Sequence, residues 1–120
     1  MCQLAELSEG KYVADIKLPY IQNIIEQAKK CPNISRIMLF GSALETRCRE
    51  DSDIDIAVFG EKTQARYLQS KEFLNFNDQV FSYNGILNQD YDVLYFKNHS
   101  KQKAAIMNDI ENGLEIYRRL

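Results

Sequence analysis

The sequence predicts an α/β (α+β) fold in which a small mixed sheet of about three strands is flanked by helices. Three short apolar runs bounded by turn residues predict the strands, and longer segments with apolar residues every three or four positions predict the helices. We therefore expect helices and strands to alternate along the chain, beginning and ending with a helix. No repeat, low-complexity tract or linker interrupts the 120 residues, so we expect a single domain, residues 1–120.

The first predicted helix begins near Pro19, which suits the first turn of a helix because the missing N–H is not needed there. Its apolar face would contain Ile21, Ile24, Ile25 and Ala28. Cys31-Pro32-Asn33 would end this helix, since a proline cannot continue it. Residues 37–40 then predict a short buried strand, and residues 42–47 predict a brief helix.

The second predicted strand covers residues 54–59, with side chains that alternate between its two faces, and ends at Gly60. Because side chains alternate along a strand, Ile54, Ile56 and Val58 would lie on the face away from the neighbouring acids. Ser70 is expected to cap the next helix. One side of that helix would carry Phe73, Phe76, Val80 and Tyr83, a stripe that we interpret as core rather than as a ligand site.

The last third of the chain contains a turn, a strand and a helix in the predicted order. Asn84-Gly85 is typical of a turn, and residues 91–96 predict the third strand. Ser100 would cap a final helix whose apolar positions are Ile106, Ile110, Leu114 and Tyr117. Gly113 weakens this helix near its end.

Composition and charge narrow the class of partner. The hydrophobic fraction of 45% and the charged fraction of 27% are ordinary for a globular domain. A net charge of −2 gives no long-range attraction to a polynucleotide or an anionic membrane, so we expect neither as a main partner. No apolar run approaches the roughly 20 residues that a membrane span requires.

The cysteines and the beginning of the chain predict a cytoplasmic location. Cys2, Cys31 and Cys48 are an odd set without C-x-x-C spacing, which fits reduced thiols. The first residues lack the basic start and apolar stretch of a secretory signal. No Cys/His cluster suggests zinc, and Cys48 has no neighbouring histidine that would activate it.

The stretch from 39 to 59, LFGSALETRCREDSDIDIAVF, carries the chemistry. Gly41-Ser42 ends one apolar run, and ten residues later Asp53-Ile54-Asp55 opens the next. Two carboxylates one residue apart on a strand share a face, and such oxygen ligands suit Mg²⁺ with substrate phosphates. The structural alternative is a tight Gly-Ser turn and a solvated Asp53, but a turn alone would not require Asp55 inside an apolar strand.

These residues resemble the minimal nucleotidyltransferases of the DNA polymerase β-like superfamily. The match consists of Gly41, Ser42, Asp53 and Asp55, with Asp92 as the later third acid, and the resemblance covers nearly the whole chain. Arg49 matches a basic position just before the two acids. Where many relatives have a small residue followed by Arg-Gly, this chain has Leu44-Glu45-Thr46, which leaves open the choice of nucleotide and the rate.

The resemblance implies roles for each matched residue. Gly41 and Ser42 would hold the β- and γ-phosphates of ATP or another nucleoside triphosphate. Asp53, Asp55 and Asp92 would be catalytic and would bind Mg²⁺ or Mn²⁺, with Asp92 assisting deprotonation of the acceptor hydroxyl. No lysine stands beside these acids in the sequence to offset their charge.

Each of these assignments has a structural alternative. Asp92 has the alternative role of capping a strand end. Arg49, and less strongly Arg47, would contact phosphate or else lie in a solvated loop balanced by nearby acids. His99 lies in a polar stretch and is interpreted as a surface turn residue.

The resemblance also implies a reaction and a partner. The chain would move a nucleoside monophosphate, with AMP as the first choice, to a hydroxyl on a partner protein, as antitoxins of HEPN-type ribonucleases do. A catalytically weak antitoxin-like binding module and a nucleotide sensor remain alternatives. The absence of an obvious second domain in the sequence disfavours a small antibiotic as acceptor.

Overall fold

A computed structural model of the protein describes residues 2–83, 89–99 and 105–119. The predicted Asn84-Gly85 turn and the Ser100 cap lie outside these residues, as does the side chain of Ile106. The helices and strands follow in chain order: β1 Leu4–Ser8, β2 Lys11–Ala14, α1 Leu18–Lys29, β3 Ile34–Phe40, β4 Ile54–Gly60, α2 Gln64–Tyr67, α3 Lys71–Phe81, β5 Tyr91–Lys97, α4 Ala105–Glu111 and β6 Leu114–Arg118.

The predicted mixed sheet flanked by helices is confirmed, with one strand more than expected. Within the described residues, four strands form the main sheet in the order β5-β4-β3-β6. β3 runs antiparallel to both of its neighbours, while β4 and β5 are parallel. The strand β3 begins three residues earlier than the sequence predicts, at Ile34 rather than Ile37. The three predicted strands are therefore adjacent to one another in the sheet.

The fourth strand, β6, corrects the prediction of a long final helix. The helix α4 ends at Glu111, and Leu114–Arg118 pairs antiparallel with β3. Gly113 lies so close to the backbone of Leu39 that a Cβ at this position would overlap the Leu39 carbonyl oxygen. The apolar spacing here also fits a strand, because Leu114 and Ile116 are two residues apart. Pairing with the free edge of β3 favours the strand over the helix.

The hairpin of β1 and β2 was not predicted from the sequence. These strands pair antiparallel across a turn in which Gly10 has a φ of +74°. The backbone N–H of Cys2 donates to the carbonyl of Thr46 at 3.0 Å, which ties the start of the chain to the loop between β3 and β4. The hairpin therefore packs beside the segment that carries the sequence motif.

The described core residues form two clusters, one on each face of the sheet. The larger cluster contains Ile54, Ile56 and Val58 together with buried residues of α1 and α3. The smaller cluster contains Ala57 and Phe59, packed with Ile110 of α4 among others. The prediction of which residues face away from the acids is therefore confirmed.

The helix α3 forms as predicted, except at its end. The Ser70 hydroxyl accepts a hydrogen bond from the N–H of Phe73 at 3.1 Å, which confirms the cap. Phe73, Phe76 and Val80 are buried in the larger cluster, so the aromatic stripe belongs to the core. Tyr83 lies beyond the helix, and its ring meets that of Tyr20 edge to face with 5.6 Å between centroids. Among the described residues, no helix is long and apolar enough to cross a membrane.

Candidate active site at the acidic edge of the sheet

Gly41 occupies a position that only glycine fits. The strand β3 ends in extended conformation at Phe40, and the chain then turns through Gly41 with a φ of +81°. Residues with a Cβ rarely adopt this left-handed region. A Cβ on Gly41 would also overlap Oδ2 of Asp55. The glycine of the sequence motif therefore lies directly against one of its acids.

The helix predicted for residues 42–47 is shorter than expected. A single 3-10 turn spans Gly41–Leu44, and Glu45 returns to extended conformation. The N–H of Glu45 closes this turn on the carbonyl of Ser42 at 2.9 Å. A turn of this length does not carry the dipole expected from a longer helix starting at Ser42, so any phosphate bound here would depend on individual donors.

The acids of the motif meet at this edge of the sheet. The register of the parallel strands places Asp55 of β4 directly beside Asp92 of β5. Asp53 lies just before β4, two residues from Asp55, and both Asp53 and Asp92 are exposed. Burial raises the pKa of the half-buried Asp55 above its ordinary value, and the negative charges of Asp92 and Asp53 raise it further. Asp53 and Asp92 therefore each lie close enough to Asp55 to repel its carboxylate.

The donor set fits a magnesium ion completed by its substrate. In the described part of the chain, no group of three or more His, Cys, Asp or Glu side chains lies close enough to form a metal site by itself. Magnesium is often bound by one or two carboxylates together with waters and substrate phosphates. Asp55 and Asp92 provide such a pair, and Asp53 is a neighbouring third acid.

An open cavity of about 540 Å³ lies beside Gly41 and Asp55. Its wall is formed by Phe40, Gly41, Leu44, Glu45, Arg47, Asp55, Asp109, Asn112 and Gly113. Asp109, in the last turn of α4, and Asn112, just beyond the end of that helix, were not predicted from the sequence. Their spacing is typical of the solvent-exposed side of a helix. Only the tertiary fold places them in the cavity wall that also contains Gly41.

The two arginines of the loop lie in different places. Arg47 lines the cavity beside Asp55 and forms an ion pair with Glu45. Arg49 lines a separate pocket with Cys48 and Glu50, and its Nε lies 3.4 Å from Oδ1 of Asp51. Arg47 is therefore nearer to the candidate site than the arginine that the family resemblance selects. His99 is exposed in the turn after β5, as predicted.

A buried lysine lies behind the acids. The side chain of Lys17 is 1% exposed, although the sequence shows no lysine beside the motif. Its ammonium donates to the carbonyl of Glu50 at 3.0 Å and to Oε1 of Gln89 at 2.5 Å. Burial lowers the pKa of Lys17, and nearby negative groups, Asp53 among them, act in the opposite direction. A lysine that is distant in the sequence therefore lies close enough to Asp53 to interact with its charge, which the sequence did not predict.

Comparison with known families identifies the class of this protein. The family model described as "Polymerase beta, Nucleotidyltransferase" matches residues 22–119. The chain belongs to this family of nucleotidyltransferases. The match includes the glycine turn and all three acids of the edge.

Two similar solved structures come from toxin–antitoxin pairs. One is a mutant of the MntA–HpeT pair, with a TM-score of 0.57 and 22% identity over 82% of this chain and 73% of that chain. The other is the MntA–HepT pair, with a TM-score of 0.53 and 20% identity over 84% of this chain and 72% of that chain. At this identity the likeness shows the fold. No curated protein sequence matches the chain.

Proposed function

We propose that this nucleotidyltransferase moves a nucleoside monophosphate from a nucleoside triphosphate to an acceptor hydroxyl, with ATP as the first candidate donor. One observation carries the proposal: Asp55 lies directly against the Gly41 turn, in the wall of an open cavity, and is paired with Asp92 on the neighbouring parallel strand. Chemistry on a triphosphate requires such carboxylates next to a backbone that a ligand can approach closely.

The acidic edge would hold Mg²⁺ or Mn²⁺ through Asp53, Asp55 and Asp92. When bound, the ion supplies positive charge that stabilises the transferring phosphoryl group. Gly41 and Ser42 would contact the β- and γ-phosphates, the first through its backbone and the second through its hydroxyl. Arg49 is proposed as a further phosphate contact by family resemblance, and Arg47 competes for this role because it lines the cavity.

The transfer is a single displacement at phosphorus. The oxygen of the acceptor hydroxyl forms a bond to the α-phosphorus, and the bond from that phosphorus to the oxygen bridging the α- and β-phosphates breaks. Pyrophosphate leaves with the electron pair, and the hydroxyl proton passes to the carboxylate of Asp92. Asp92 is exposed, so a hydroxyl on a macromolecule can reach it.

We propose a partner protein, of the HEPN ribonuclease type, as the acceptor. The two similar structures are described as toxin–antitoxin pairs. In one of them, two aspartates one residue apart are each replaced by glutamate, which is the spacing of Asp53 and Asp55 here. A cytoplasmic location stays a prediction from the cysteines.

The test is the mass of the partner. The protein is purified from its native host together with its partner. The two proteins are incubated with ATP and Mg²⁺, and the mass of the partner is then measured by mass spectrometry. We expect the partner to become heavier by one or more nucleoside monophosphates, with pyrophosphate released. The variant Asp92→Asn should bind the partner without modifying it.

A second candidate function is an antitoxin-like module that inhibits its partner by covering it, or a nucleotide sensor. One observation favours it: in the described residues, the acids do not form a complete metal cluster by themselves. A partner that loses activity on binding but keeps its mass would support the covering module. Triphosphate that binds and is released unchanged, with no effect on a partner, would support the sensor.

A further inference from the structure

The buried position of Lys17 needs an explanation, because lysine is almost never fully buried unless it is paired. Among the described residues, the ammonium donates to two uncharged oxygens, the Glu50 carbonyl and the Gln89 amide oxygen. Taking a charge out of water is costly. The cost of burying the Lys17 ammonium therefore indicates a role for this residue beyond the folding of the segment before α1.

The contacts of Lys17 join two segments that each carry an acid. Glu50 lies in the loop just before Asp53, and Gln89 lies just before β5, which carries Asp92. The amide nitrogen of Gln89 extends the connection, because it donates to the carbonyls of Ser52 at 3.1 Å and Asp90 at 2.7 Å. The side chain of Gln89 is itself 5% exposed. Lys17 and Gln89 therefore link the loop before β4 to the segment before β5 from behind the acidic edge.

We propose that Lys17 is a positioning residue for the acids, which fixes through Gln89 the spacing between Asp53 and Asp92. The inference rests on the proposed metal and nucleotide site. Asp53 and Asp92 each place a negative charge near Asp55, and like charges this close push the segments that carry them away from Asp55. A buried cation behind them opposes this repulsion and holds both segments in the geometry that a metal ion needs.

A matched control is available at the opposite end of the same strands. Asn33 is also buried, and its side chain also bridges two segments: it donates to the Tyr95 hydroxyl at 2.9 Å and accepts from the N–H of Lys62 at 2.9 Å. The register places Asn33 next to the Ile34–Gly60 pair, whereas the acids lie at the Phe40–Asp55 pair. Breaking either network removes two hydrogen bonds, one buried and one partly buried, but only one network adjoins the acids.

The experiment compares Lys17→Met with Asn33→Ala in the full chain, at a temperature where both remain folded. Calorimetry measures the affinity for ATP in the presence of Mn²⁺. We expect Lys17→Met to weaken binding by at least about tenfold, the effect typical of groups that orient metal ligands. Asn33→Ala should bind as the unaltered protein does, even if its melting temperature falls as far. Equal binding by the unaltered protein and Lys17→Met would overturn the proposal.

A second readout does not depend on metal or nucleotide. The N–H of Ile54 donates to the Asp90 carbonyl at 3.1 Å, so it joins the two segments that Lys17 is proposed to hold. Its hydrogen exchange should accelerate in Lys17→Met beyond the change in global stability, and not in Asn33→Ala. If the unaltered protein fails to bind ATP with Mn²⁺, the proposed function falls, and the exchange result alone decides the role of Lys17. Unchanged exchange at Ile54 would refute that role.

Discussion

The two faces of β4 differ in what they contribute to the molecule. On one face, Ile54, Ile56 and Val58 are fully buried in the larger cluster beneath α1 and α3. On the other face, the half-buried carboxylate of Asp55 precedes Ala57 and Phe59, which pack in the smaller cluster. One strand thus supplies stability from one face and a candidate chemical site from the other. Substitutions on the two faces should therefore separate stability from chemistry.

The largest expected effect is on stability, from Ile56→Ala. Ile56 is 0% exposed, so the substitution removes buried apolar surface and leaves a cavity. Such changes typically cost about 2–5 kcal/mol of the free energy of unfolding. Urea denaturation measures this cost. A loss well below about 1 kcal/mol would mean that this face is not the tightly packed one.

Gly41→Ala should damage both stability and binding. The left-handed backbone costs a residue with a Cβ about 1–2 kcal/mol, and the new methyl group would also push the carboxylate of Asp55 aside. We expect ATP binding in the presence of Mg²⁺ to be lost. Calorimetry measures binding, and thermal denaturation measures stability.

Gly10→Ala is the matched control for that substitution. Gly10 has a similar φ of +74°, and among the described residues nothing lies within 4 Å of where its Cβ would be. It should show the backbone cost without loss of ATP binding. Equal loss of binding in both variants would show that the Gly41 result is due to strain alone.

Asp55→Asn should have the smallest effect on the fold while abolishing transfer. The folded protein raises the pKa of Asp55 above its ordinary value of 3.8, so ionisation of this group opposes folding. The cost is absent below the ordinary pKa, grows as the pH rises from that value to the raised pKa, and stays constant above it. Without metal, the variant should therefore melt at the same temperature as the unaltered protein or higher at neutral pH. The difference should vanish in acid.

Thermal denaturation from acid to neutral pH, with EDTA present, measures the difference in melting temperature between Asp55→Asn and the unaltered protein. Asp53→Asn is a useful companion because Asp53 is exposed and precedes the strand. It should likewise leave the fold intact and abolish transfer. If both variants unfold at ordinary temperature, the two acids are structural and their assignment to chemistry is wrong.

The sequence predicted the parts of the fold that local chemistry determines. The alternation of β4 and the Ser70 cap each follow from one residue and its near neighbours. The family resemblance named Asp92 as the third acid, and the register of β4 and β5 places it beside Asp55.

The parts that the sequence missed depend on distant contacts. The residues of β6 satisfy helical spacing as well as strand alternation, and only pairing with β3 decides between them. Lys17 and Asp109 carry no local signal, because the residues that they face are far away in the chain. Propensity cannot reveal such contacts, since it describes neighbours along the sequence.

The central claim is that the acidic edge of the sheet binds a nucleoside triphosphate together with a divalent metal ion. Titration calorimetry with ATP tests it directly, once with Mg²⁺ and once with EDTA, for the unaltered protein and for Asp55→Asn. We predict binding by the unaltered protein with Mg²⁺ only, because without the ion the phosphates and the three aspartates repel one another. Equal binding with Mg²⁺ and with EDTA, or binding with Mg²⁺ that Asp55→Asn leaves unchanged, would contradict the account.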